Sequence, residues 1–174
     1  MGQLGSMIAD AASMGPRYAQ RLVDGISADR FARFATPGGE VVAANHPAFI
    51  FGHLCLYPLK VVELLGGNVD LVTPPAGFAE LFSKDAKCQD DPGANIYPPA
   101  DQIMAFFESS HQAALEALRA ASDEQLAQPN PVDSPMKTIL PTLGSMLAFY
   151  MTGHLMTHLG QLSTWRRMEK LPPA

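Results

Sequence analysis

Residues 143–165 read LGSMLAFYMTGHLMTHLGQLSTW. Leu143, Leu147, Tyr150, His154, His158, Gln161 and Trp165 recur there in steps of three and four, the period of a helix with one face turned inward. The spacing predicts a long helix from about Lys137 to Lys170, with Pro141 accommodated in its first turn, where a backbone N–H is not needed. A buried stripe of that length needs other helices to cover it, and three more segments carry the same period. In residues 99–121 it is Ile103, Phe106, Phe107, Ala114, Leu115 and Leu118. In residues 4–25 it is Leu4, Ile8, Ala11, Tyr18 and Leu22, with Gly15-Pro16 predicting a kink. The remaining helix opens at Asn45-His46-Pro47, with Asn45 as the expected N-cap, and ends at Gly66-Gly67. Its stripe runs Phe49, Ile50, Leu54, Tyr57, Val61, Leu64 and Leu65, and Pro58 within it leaves the carbonyl of Leu54 without its helical partner. The expected fold is all-α: one domain over residues 1–174, an up-down-down-up four-helix bundle with a long loop between its second and third helices.

That loop, residues 67–98, holds Pro74, Pro75, Gly77, Pro92 and Gly93. Connections of this length are often functional. Residues 77–83 are expected to form a short helix inside it, and the turn Thr36-Pro37-Gly38-Gly39 allows no more than a short extended piece. The 14 glycines and 15 prolines, too many for an uninterrupted helical rod, thus fall mostly in connections. Charged residues are 17% of the chain, below the roughly 25% of ordinary domains, and the net charge is -5 with no basic run longer than Arg166-Arg167. A nucleic-acid binder needs a concentrated basic face, so that class is excluded. Cys55 and Cys88 are too few for a disulfide scaffold. No run comes near the about 18 uninterrupted apolar residues of a membrane helix, and the first fifteen residues carry no positive charge, as a signal peptide would. The expectation is a cytoplasmic protein.

The histidines are the chemistry-bearing residues. His154 and His158, four apart on the inward stripe, sit one turn apart on one helix face. Burying an unpartnered imidazole costs about 1–3 kcal/mol. A divalent metal would satisfy both rings, as would backbone carbonyls or Tyr150. His53, mid-helix in Phe51-Gly52-His53-Leu54, is expected to face the same interior, which makes three nitrogens from two helices with positions left open. His46, seven residues earlier, lies about 10 Å along the axis and is expected at the mouth of the site or at the helix start. His111, among Ser109, Ser110 and Gln112, is expected on the surface.

Phe51-Gly52-His53-Leu54 together with His154-Leu-Met-Thr-His158-Leu-Gly160-Gln161 resembles the DinB superfamily, stress-associated bacterial four-helix bundles related to metal-dependent thiol transferases that use bacillithiol or mycothiol. The resemblance implies that His53, His154 and His158 bind one divalent metal, zinc, nickel or iron. It also implies a homodimer, and a low-molecular-weight thiol or other small molecule as substrate. The expected activity is metal-dependent thiol S-transfer; the alternatives are a non-catalytic metal-binding stress-response protein and a metal-dependent hydrolase. The phrase before His53, Ala48-Phe49-Ile50, departs from the aromatic, histidine-rich form common in the family.

Gln161 shares the face of His158 and is expected either to orient that imidazole or to hydrogen-bond the second helix. Tyr57 and Tyr150 are expected as core aromatics near the site. Cys88 sits beside Asp90-Asp91, which raises a thiol's pKa and argues against a nucleophile. Cys55 reads as core. Arg166 and Arg167 suit the dipole at their helix's C-terminus.

Overall fold

The first amphipathic segment breaks just before its proline. In the computed structural model, which describes residues 2–174, helix α1 (Gln3–Ala12) gives way at Ser13 to α2 (Met14–Val23), with Pro16 in the first turn of α2. Irregular chain with a 3-10 turn at Pro37–Gly39 leads to α3 (Pro47–Leu54) and α4 (Tyr57–Leu64), parted at Cys55-Leu56 because Pro58 can only enter a new first turn. Residues 65–99 contain the short α5 (Phe78–Phe82). Then come α6 (Ala100–Ala120), α7 (Asp123–Leu126), α8 (Leu143–Phe149), a π-helical turn at Tyr150–His154, and α9 (Leu155–Met168). Among the described residues there is no strand, only the isolated bridges Ala35–Val42 and Pro129–Thr142.

Helix α6 packs on α1, α3 and α4, while α9 packs on α2 and α3. Gly5 lets α1 approach the Leu118 carbonyl, which a Cβ would strike. One core cluster gathers Phe31, Phe49, Phe51, Phe82, Phe107 and Trp165; the other gathers Val61, Leu115, Leu118, Leu126, Leu147 and Met151. Pro47–Leu64 has the length and mean hydropathy, 1.2, of a spanning helix, but 67% of it is buried inside the protein and supplies both clusters.

Three local expectations are corrected. The last long helix starts at Leu143, not near Lys137. Backbone bonds from Asn130 to the Pro141 carbonyl and from Leu143 to the Gln128 carbonyl hold the chain extended there, and Thr142 caps the helix in a reciprocal box with Ser145. Pro141 therefore lies outside it. The cap of α3 is His46, whose Nδ1 accepts the Phe49 N–H at 3.2 Å, so Asn45 is free for other work. Arg166 is not a surface partner of a helix dipole: it is 4% exposed and donates to the carbonyls of Leu22 and Pro172, tying α2 and the C-terminal tail to α9.

Candidate metal centre

His53 comes from the last turn of α3, His154 from the end of the π turn and His158 from the first turns of α9. Their ring nitrogens all lie within 4.8 Å of one another, so the group could hold a metal ion. His53 is 6% exposed, and His154 and His158 are half-buried. The Nε2 of His154 stands 3.3 Å from that of His53 and 3.1 Å from that of His158.

The outer nitrogens decide what the inner ones can do. His53 Nδ1 lies 2.7 Å from the Phe82 carbonyl, which only accepts, so Nδ1 carries the proton and Nε2 offers a lone pair. His158 Nδ1 lies 3.2 Å from Gln161 Oε1, an oxygen that also receives the Asn45 Nδ2 amide at 3.1 Å, so His158 Nε2 offers a lone pair too. Both point at His154 Nε2. If that atom carries a proton it satisfies only one of them well; if not, three lone pairs face each other. His154 Nδ1 is itself buried with no partner among the described residues. A cation removes the conflict. Two nitrogens bound at about 2.0–2.1 Å with angles near 90–109° stand roughly 3.0–3.4 Å apart, and the observed 3.3 and 3.1 Å fall in that interval.

Electrostatics act in the same direction. Burial holds the proton affinity of all three rings below the ordinary histidine value, His154 furthest, down to about 3, where the two neighbouring imidazoles add to it. The rings are therefore neutral near pH 7, the form that binds metal. Aromatic rings wall the group: Tyr57 has its centroid 4.0 Å from that of His154 and 5.2 Å from that of His53, and Phe49 stacks on His53 at 6.5 Å. Tyr150 lies behind Tyr57, 5.1 Å away, and burial raises the pKa of both phenols.

Gln161 does both things expected of it, since it binds His158 and, through Asn45, the chain that leads into α3. His46 is the helix start and not a site residue: its Nε2 is 2.9 Å from the Gln89 carbonyl. Cys55 is buried in the core. Cys88 is half-buried, and its thiol is pushed up to about 11, chiefly by burial, which suits the non-nucleophilic reading. Gln161 was legible from spacing, whereas the Phe82 carbonyl was not, because every residue has one. Lys60, seven residues after His53 and three after Tyr57, could have been placed beside the site by the same count.

His111 corrects a further expectation. It is 1% exposed, with its ring 4.1 Å from that of Phe107 and its Nδ1 2.8 Å from the Phe107 carbonyl one turn back. It continues the stripe Ile103, Phe107, Ala114, Leu118, which its polar neighbours mask. Burial pulls its pKa down to about 4. Because the folded value lies below the unfolded one, its stabilising contribution is whole above about pH 6.5, falls as the pH drops toward 4 and levels off below. The loss is on the order of 3 kcal/mol. In urea titrations of metal-stripped protein at pH 7 and 4.5, His111→Leu should lose markedly less stability on acidification than the wild type; equal losses would contradict the assignment.

The sequence profile of the DinB superfamily matches residues 13–162, from the break between α1 and α2 through α9 as far as Leu162. The chain belongs to the DinB superfamily. No curated protein matches it closely enough to be named as a relative.

Proposed function

We propose that His53, His154 and His158 hold one divalent cation, zinc, nickel or iron, and that the protein is a metal-dependent thiol S-transferase acting on a low-molecular-weight thiol. The observation that carries this reading is the convergence of the three Nε2 atoms while the outer nitrogens of His53 and His158 are tied to oxygens that only accept. A cation bound there supplies Lewis acidity, which lowers the pKa of a thiol or of water at its open side. The chain's own residues do the rest. The Phe82 carbonyl and the Gln161 amide keep two imidazoles in the ligating tautomer. Tyr57 and Phe49 exclude water from the inner side of the group and leave approach only from the outside. Three neutral donors leave the cation's charge undiminished, which favours a thiolate over a thiol.

The same reading takes the α1–α2, α3–α4, α6 and α8–α9 segments as a four-helix bundle. It takes the protein as a cytoplasmic homodimer in a stress response, with neither nucleic acid nor membrane as partner; the exposed Met7, Met14 and Met156 are available for pairing. The test is a panel of low-molecular-weight thiols with a chromogenic electrophile such as 1-chloro-2,4-dinitrobenzene, run on metal-replete protein. The expected result is conjugation above the buffer rate that is lost in His53→Ala. Stoichiometric metal with no acceleration of any pair would favour a binding protein, and acceleration of ester hydrolysis alone would favour a hydrolase.

A further inference from the structure

We infer that Lys60 makes the three-histidine group selective for a ligand that carries a second negative charge, such as a carboxylate, besides the group that reaches the metal. This rests on the metal-binding reading above. Lys60 is on α4, and its Nζ lies 5.2 Å from the centre of the Tyr57 ring, the ring that packs on both His154 and His53. The ammonium is therefore one ring away from the converging nitrogens. Among the described residues it forms no ion pair, and Glu63, one turn further along α4, stays beyond pairing distance.

The surrounding field has one sign. Lys60 opposes protonation of both His53 and His154, and no carboxylate figures among the charges acting on His53, His154 or His158. The chain carries an acidic excess, -5 overall, but its engaged carboxylates are turned elsewhere. Asp90 pairs with Arg33, Glu169 with Arg30, and Asp91 accepts three backbone N–H groups from Asn95, Ile96 and Tyr97. A divalent cation on three neutral imidazoles next to an unpaired ammonium is a concentrated positive charge with no counter-charge from the protein. An incoming anion supplies it, and Lys60 sits where the far end of a short ligand would lie. Such a group is read by charge and reach, so the selectivity should be modest and screened by salt.

The test uses the full chain loaded with cobalt(II), whose visible absorption reports a change of ligands without any turnover. Wild type and Lys60→Met, which keeps most of the aliphatic stem, are titrated at low ionic strength with 3-mercaptopropanoate, 2-mercaptoethanol and cysteamine. Comparing the two proteins thiol by thiol cancels differences in thiol basicity. Wild type should bind 3-mercaptopropanoate roughly fivefold more tightly than the variant does, 2-mercaptoethanol equally, and cysteamine less tightly; the carboxylate advantage should shrink in high salt. Lys60→Glu should reverse the order. If cobalt is not taken up at all, the metal-binding reading fails. If cobalt binds and the two proteins treat the three thiols alike, the role of Lys60 alone is overturned.

Discussion

Protein in which His154 is replaced by alanine should purify folded and without stoichiometric metal. His154 Nε2 is the central atom of the group, in contact with both other Nε2 atoms, and its removal leaves His53 and His158 with no shared neighbour at 3.1–3.3 Å. Loss of a partner that only orients a ligand lowers metal affinity by about 10- to 100-fold, so loss of the central ligand should exceed roughly 100-fold. The fold should survive, because the metal-free ring brings a buried Nδ1 with no partner and its removal relieves that cost. Competition against a chromophoric chelator gives the affinity, and thermal unfolding checks the fold. His111→Leu is the matched control: it removes a more deeply buried imidazole, yet one on α6 outside the group, and should keep its metal. A His154→Ala protein with wild-type affinity would end the three-histidine assignment.

The second large effect comes from a residue with no side chain. Gly52 precedes His53 and faces the ring of Phe82, which a Cβ would meet at 2.5 Å. Phe82 is also the residue whose carbonyl receives the His53 Nδ1–H. Gly52→Val thus pushes away the group that orients a ligand. Overpacking of this kind costs about 1–3 kcal/mol, and the displaced carbonyl should lower metal affinity by about 10- to 100-fold. Urea midpoints and chelator competition would register the two losses separately. Gly160→Ala serves as the control: no atom lies within 4 Å of the added carbon, so stability should hold or rise, by up to about 1 kcal/mol. If Gly52→Val destabilises the protein but leaves metal affinity intact, α5 is packing and not support for the site.

The parts of the fold that follow from periodicity were readable in the sequence. The helical segments, the breaks near Pro16 and Pro58 and the short helix at 77–83 all reflect either repeated burial on one face or the missing proline N–H. The H-x-x-x-H pair and His53 were readable because ligating side chains are rare and their spacing is geometric. Tertiary competition hid the rest. Asn45 is a good cap by type, yet the chain lets His46 cap α3 and sends Asn45 to Gln161. Arg166 is a strong helix-end residue by type, but carbonyls left over at the end of α2 claim it. His111 lies among polar residues, and only the one-turn bond to the Phe107 carbonyl makes its burial affordable. No residue pattern announces the π turn, because its cause lies in how α8 and α9 must face different neighbours.

That π turn carries one more consequence. A π turn accommodates one residue more than an α turn within a helix that otherwise continues. Elsewhere in a helix, losing a residue rotates everything downstream by about 100°. Between Tyr150 and Gly153 the same loss would return the turn to α form and leave Leu147 on one side and His158 and Trp165 on the other in their present phase. Chain length can therefore drift there without disturbing the packing, and sequences aligned to this one should tolerate a one-residue gap just ahead of His154.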